Sequence, residues 1–255
     1  VESKKTRREF IHASAVVGAG LVLTSCAGGN TAQSNQQAKP ESPAKPDENA
    51  KGGEVTATED LMREHGVLRR ALLVYRETVP KLRSNASGVA PDALRKTAAL
   101  FRAFGEEYHE KKLEEAYIFP AVKQAGGPAA ALPDILVAQH QRGREITDYI
   151  LAVTGGAKLG ASNAEPLARA LETLVRMYEH HAAREDTIIF PAWKQTLTAK
   201  QLDEMGDKFE DIEKEQFGND GYEEAVKLIS DIEGNLGLSD ISQFTAPPPP
   251  KVSGT

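Results

Sequence analysis

The chain has 255 residues, a net charge of −6 and 27% charged residues, which is room for one domain with appendages and no basic excess to recruit nucleic acid. Its single cysteine excludes an intrachain disulfide framework and any Cys-based zinc or iron–sulfur site. No Ser-His-Asp order, Gly-rich phosphate loop or basic–aromatic array occurs, so hydrolase, nucleotide-binding and nucleic-acid functions have no support.

Residues 1–25 read as an export signal: Thr6-Arg7-Arg8-Glu9-Phe10-Ile11, then an apolar run from Ala13 to Leu23. That run is too short for a stable membrane span. The Arg-Arg pair resembles a twin-arginine signal, and Leu23-Thr24-Ser25-Cys26 resembles a bacterial lipobox, with Cys26 lipidated as the mature N-terminus. The expected location is the extracytoplasmic side of a bacterial membrane, with the lipidated N-terminus as anchor. Twin-arginine export carries folded proteins, which suits a protein that must receive a metal in the cytoplasm. Residues 26–54 are poor in apolar side chains and read as a disordered tether.

Four long helical patterns fill 55–197. The first runs from about Thr58, a plausible N-cap, to about Ser84, with Leu61, His65, Leu68, Leu72, Tyr75 and Val79 on its seam. Pro80 should kink or end it. The second starts after Pro91 and carries Leu94, Ala98, Phe101, Gly105, Tyr108 and His109 towards Phe119-Pro120. The third follows Pro133, with Leu136, His140, Gly143, Thr147 and Ile150. The fourth begins near Glu165-Pro166 and carries Leu167, Leu171, Leu174, Tyr178, His181, Glu185 and Ile188 to a stop at Phe190-Pro191. Two shorter amphipathic helices occupy 198–237, and 238–255 reads as a disordered tail containing Pro247 to Pro250. No β pattern competes. Long amphipathic helices with short loops predict an all-α fold: an antiparallel up-down four-helix bundle with two extra C-terminal helices.

The chemistry sits in a repeat. Tyr108-His109-Glu110-Lys111-Lys112-Leu113-Glu114-Glu115 precedes Ile118-Phe119-Pro120-Ala121, and His180-His181-Ala182-Ala183-Arg184-Glu185-Asp186 precedes Ile189-Phe190-Pro191-Ala192. On an α-helix His181 and Glu185 lie about 40° apart, so imidazole and carboxylate can meet at one ion of the iron, manganese or zinc type. One such pair is usually a solvated surface pair. A duplicated one is the trace of a pseudo-symmetric two-metal site. Every bundle helix also carries a histidine on its apolar seam, and burying several imidazoles and carboxylates without a metal would cost several kcal/mol.

The order His65, His109 with Glu114, His140, His181 with Glu185, each pair followed by Phe-Pro, resembles the hemerythrin-like, or HHE cation-binding, domain over about 58–197. The resemblance implies a non-haem di-iron centre in a four-helix bundle. His65 and His109 would serve one iron, His140 and His181 the other, and Glu114 and Glu185 would bridge. Oxygen-carrying members have a further histidine where this chain has Arg144. Residues five apart on an α-helix lie about 140° from each other, so His109 and Glu114 cannot face one metal on a regular helix. Either Glu110 replaces His109 as the ligand, or a π-bulge brings His109 and Glu114 together. The resemblance favours His109 and Glu114, with Glu110 as a candidate for the position left by Arg144. Glu115 and Asp186 read as solvated or as outer-shell partners. Arg69 and Arg70 read as outer-face charges, and Glu210, Glu213 and Glu215 as surface.

The expected function is that of an exported metal-binding protein that binds oxygen or another small diatomic, or that senses or buffers iron or redox state. Two rival functions stand beside it. One is a ferroxidase- or peroxidase-type di-iron enzyme. The other is a metal-free lipoprotein interaction module. The sequence names no protein partner.

Overall fold

The computed structural model describes residues 55–250, so the predicted export signal, the lipobox with Cys26 and the tether lie outside the described residues, as do residues 251–255. The described residues are helical and contain no strand. Helix α1 spans Ala57–Asn85 and α2 Pro91–Leu100. The chain then continues through a π-helical segment, Phe101–Ile118, into α3, Phe119–Ala125. Helix α4 spans Pro133–Val153 and α5 Ala164–Arg184, which passes through a π-turn, Glu185–Ile189, into α6, Phe190–Gln195. Helices α7, Ala199–Phe217, and α8, Gly221–Leu236, follow. In the predicted tail, Ile241–Phe244 forms one 3₁₀ turn.

Helix α1 packs along α5 and touches the π-helical segment, and α4 touches both α5 and that segment. The four long spans thereby surround one core in which Leu61, Tyr75, Phe101, Phe104, Leu113, Ile150, Leu171 and Leu174 are almost fully buried. Each predicted seam points inward, with one exception. Ile188 is 40% exposed and Ile189 takes the buried position, because the π-turn beginning at Glu185 advances the register by one residue.

Some expected helix limits move, whereas the end of α1 expected near Ser84 stands at Asn85. Thr56, not Thr58, caps α1, its hydroxyl accepting from the Glu59 N–H at 3.3 Å. Helix α1 also runs through Pro80, whose exposed position leaves the unpaired carbonyl one turn earlier open to water. The two Phe-Pro pairs do not stop their helices. The Phe119 N–H donates to the Glu114 carbonyl and the Phe190 N–H to the Glu185 carbonyl, each a five-residue closure. Proline follows where the ladder returns to α register, so its missing donor costs least there.

Helices α7 and α8 cover one flank of α1, α2 and the π-helical segment. Thr198 and Gln201 form a capping box at the start of α7, and Gly218 ends it at φ 76°. Phe209 stacks on Trp193 with ring centroids 5.7 Å apart and packs on Tyr117, while Phe217 sits against Phe104 and Tyr108. Glu210 and Glu213, expected at the surface, are buried. The Glu213 carboxylate accepts the Tyr222 N–H at 2.6 Å and so caps the first turn of α8. No helix among the described residues is long and apolar enough to cross a membrane.

Phe209→Ala should cost about 3–5 kcal/mol, because it empties a buried aromatic slot between Trp193 and Tyr117. Urea unfolding of the full chain checks this; an unchanged midpoint would show that α7 is dispensable to the core.

Candidate metal centre

Helices α1, α4 and α5 and the π-helical segment each deliver one histidine to a common depth in the core. His65, His109, His140 and His181 are all nearly inaccessible to solvent, at 0–3% exposure. Their Nε2 atoms meet in pairs: His65 with His109 at 3.0 Å, and His140 with His181 at 3.0 Å. Between the pairs stand the two carboxylates. Glu114 places Oε1 3.4 Å from His109 Nε2 and Oε2 3.4 Å from His140 Nε2. Glu185 places Oε1 2.9 Å from His181 Nε2 and Oε2 3.5 Å from His65 Nε2. Each carboxylate therefore presents one oxygen to each imidazole pair.

His109 and Glu114 can both face this point because the helix carrying them is π-helical, and i→i+5 closure stacks residues five apart. Glu110, one residue along, is aimed differently. Its carboxylate accepts from the Tyr178 hydroxyl at 2.7 Å and from Arg144 at 3.2 Å, and it lies 3.9 Å from Nδ1 of His140, the outer side of that ring. His180, next to His181, is exposed and pairs with Arg184.

Every imidazole is oriented by an acceptor on its outer nitrogen. His109 Nδ1 donates to Glu64 at 2.7 Å, and Glu64 also accepts from the Tyr108 hydroxyl at 3.1 Å. His65 Nδ1 donates to Asp186 at 2.7 Å, His140 Nδ1 to Glu115 at 2.8 Å, and His181 Nδ1 to the Gln139 amide oxygen at 2.9 Å. Donation at Nδ1 turns each Nε2 inward, the orientation that a metal ligand needs once any proton on Nε2 has left. The repeat extends through this shell. The residue before His65 or His140 holds the partner histidine, and the residue after Glu114 or Glu185 holds a histidine of the other pair. Arg144 binds Glu115 as Arg69 binds Asp186. Phe119 stacks on His140 at 5.5 Å as Phe190 stacks on His65 at 5.3 Å.

Glu115, Asp186 and Arg69 are thus outer partners rather than solvated charges. Glu64, Gln139, Tyr108 and Tyr178 carry roles that motif spacing does not reveal. The only local signal for Glu64 and Gln139 is a polar side chain directly before a seam histidine.

All four oxygens of Glu114 and Glu185 are buried and accept no hydrogen bond. Two carboxylates in that state are costly unless a cation stands among them. The grouping of Glu114, His140, His181 and Glu185, and that of His65, His109 and Glu114, each bring their donor atoms within 4.8 Å of one another. The donors are nitrogen and oxygen only, which suits iron, manganese or zinc. In the metal-free protein, protons supply part of the missing charge. Burial opposes a charge on His109, but Glu114 and Glu64 outweigh it and hold the imidazole well above its ordinary value. Burial likewise opposes charge on His140, where Glu110, Glu114 and Glu115 prevail and push it up to about 10. Burial would raise Glu114, but His109 and His140 hold it well below the usual carboxylate range.

A small cavity of about 10 Å³ adjoins the centre, the space of about one water. His65, His109, His181, Glu114 and Glu185 line it, together with Leu68, Leu72, Phe101, Glu110 and Tyr178. Tyr178 reaches Glu110 by passing Gly143 of α4, where any Cβ would collide with the phenol oxygen. Burial and the neighbouring Glu110 hold the Tyr178 hydroxyl well above its ordinary value, so it remains a donor.

The family model of the hemerythrin HHE cation binding domain matches residues 56–193. Among curated proteins, the chain is 41% identical over 243 residues to the uncharacterized protein Rv1995 of Mycobacterium tuberculosis, covering 94% of this chain and 90% of that protein. The uncharacterized protein Mb2018 of Mycobacterium bovis matches with the same identity and coverage. No solved structure matches the chain.

Gly143→Ala should push Tyr178 off Glu110 and lower stability by about 1–3 kcal/mol through overpacking, read from a thermal melt. Metal binding should release protons, because His109 and His140 hold theirs at neutral pH in the metal-free protein. Apparent affinity should therefore rise with pH until the His140 value of about 10 is passed. Calorimetry in buffers of different ionisation enthalpy measures this release; binding without proton release would contradict it.

Proposed function

The chain belongs to the hemerythrin family of HHE cation-binding domains, and on that premise we propose that it holds a di-iron centre and binds a small diatomic such as oxygen there. In this proposal the four long helical spans form an up-down antiparallel bundle. His65 and His109 hold one iron, His140 and His181 the other, and Glu114 and Glu185 bridge them. The same donors accept manganese or zinc.

The observation that supports the proposal most directly is the set of four buried carboxylate oxygens with no hydrogen bond, each carboxylate turned to both imidazole pairs. A metal-free interaction module has no use for two such groups. Iron bound there supplies a redox-active centre with room for a small ligand. This chain's own residues do the remainder. Glu64, Asp186, Glu115 and Gln139 fix the imidazole tautomers. Leu68, Leu72 and Phe101 give the cavity an apolar part, and its size excludes an organic substrate. Glu110 and Tyr178 offer the polar wall against which such a ligand would lie. Arg144 pairs with Glu110 and Glu115, so the histidine that oxygen-carrying members place there is replaced by a charge-balancing residue rather than by another ligand.

We further propose that the protein is exported and tethered through an acylated Cys26, on the strength of Arg7-Arg8 and of Leu23-Thr24-Ser25-Cys26. Mass spectrometry of the membrane fraction should find Cys26 as a lipidated N-terminus; a mature chain beginning after Cys26 would refute the tether.

After anaerobic loading, the purified full chain should carry about two iron ions, the stoichiometry of a dinuclear bundle site. His140→Ala and His181→Ala should lose metal, whereas His180→Ala, exposed and turned away, should keep it. Elemental analysis decides: less than about half an equivalent of any transition metal in the wild type would sink the di-iron proposal.

A further inference from the structure

The two halves of the centre match residue for residue in the inner ligands, the stacked phenylalanines and the arginines, but differ at one hydrogen bond. His109, His65 and His140 each donate Nδ1 to a carboxylate, of Glu64, Asp186 and Glu115. His181 alone donates to a neutral amide, that of Gln139. Glu64 and Gln139 are equivalent positions, each directly preceding the histidine of α1 or α4 and each holding the partner histidine. Glu64 is 1% exposed and steadied by the Tyr108 hydroxyl, itself packed on Phe217.

We propose that Glu64 and Gln139 make the two metal positions unequal: the one held by His65 and His109 binds first and more tightly, and the one held by His140 and His181 is the exchangeable position. This rests on the two-metal proposal above. A carboxylate that accepts the Nδ1 proton makes the imidazole a stronger donor at Nε2 and anchors it with a charge-assisted bond about twice as strong as a neutral one. Both imidazoles of the first position have such a partner, against one of two in the second. Charges facing the two positions from every neighbouring element do not reverse the order. Arg69, 46% exposed, faces Asp186 on the first side, whereas Arg144, 13% exposed, draws charge from Glu115 on the second. Glu110 adds a carboxylate on the second side, but its oxygens are taken by Tyr178 and Arg144, and at 3.9 Å it accepts no imidazole proton.

The test is an anaerobic titration of the full chain with Co(II) against a chelator of known affinity, with anomalous diffraction from crystals grown at one equivalent. Two resolved steps are expected, with the first ion found between His65 and His109. Glu64→Gln should weaken the tighter step by about 10- to 100-fold, bringing the two steps together. Gln139→Glu should tighten the weaker step by at least about 10-fold. The double exchange Glu64→Gln/Gln139→Glu should invert the order of filling. Equal occupancy of both positions at one equivalent in the wild type, or a Glu64→Gln effect confined to the weaker step, overturns the ranking while leaving two metals in place. Saturation at fewer than two Co(II) ions overturns the two-metal proposal itself, and the ranking with it.

Discussion

Two carboxylates without hydrogen bonds, buried between two pairs of imidazoles, are the constraint around which this protein is arranged. Taken alone, Glu114 and Glu185 would be among the most destabilising groups in the core, since an ionised side chain stripped of water costs several kcal/mol. The surrounding structure holds them there nonetheless. Four helical spans aim imidazole Nε2 atoms at them, and an outer ring of acceptors fixes which nitrogen each histidine turns inward. That arrangement makes sense as a cation site whose geometry is set before the cation arrives, because metal affinity gains when ligand orientation is fixed by packing.

The backbone is deformed to serve this centre. A regular helix would turn His109 and Glu114 to different faces, and the π-helical segment removes the conflict. The second half needs no such correction between His181 and Glu185, and its π-turn begins only at Glu185. Counted from the phenylalanines, Glu114 and Glu185 sit at the same distance, five residues before Phe119 and Phe190. The repeats differ by one residue between histidine and carboxylate, and the long π-helical stretch absorbs it. The Ile-Phe-Pro motif has a structural use in each half: isoleucine fills the core, phenylalanine stacks on a histidine of the centre, and proline stands where a donor is not needed.

The helices after the ligand-bearing spans are joined to the centre through a short chain of contacts. Phe217 packs on Tyr108, Tyr108 donates to Glu64, and Glu64 orients His109. Glu213, buried on α7, accepts the Tyr222 N–H and so ties the end of α7, where Phe217 sits, to the first turn of α8. Stability of the extension and precision of the centre are coupled there, since the same aromatic cluster serves both.

The sequence by itself determined the local features. Apolar periodicity located the six helical spans and their inward faces with His65 and His140 on them, the repeated His–Glu–Phe-Pro pattern singled out the segments carrying His109, Glu114, His181 and Glu185, and the family resemblance joined these six into one ligand set. Periodicity also placed His180 on the outer face, because each residue turns by about 100° on a helix. Periodicity carries no information across loops, so it could not pair histidines that lie 44 and 41 residues apart; the family resemblance implied the pairs, and the tertiary structure shows them face to face. Only the tertiary structure decided the roles of Glu64, Asp186, Glu115 and Gln139, ordinary polar residues until another helix brings an imidazole nitrogen to them. Glu110 shows the limit most clearly. Its position in the repeat made it a candidate ligand, and the structure bonds its carboxylate to Tyr178 and Arg144 on the outer side of His140, where it groups with Glu115 rather than with Glu114 and Glu185. Ile188 and Ile189 exchange places through the π-turn: one extra residue in a turn is invisible to a fixed period but reverses which side chain is buried.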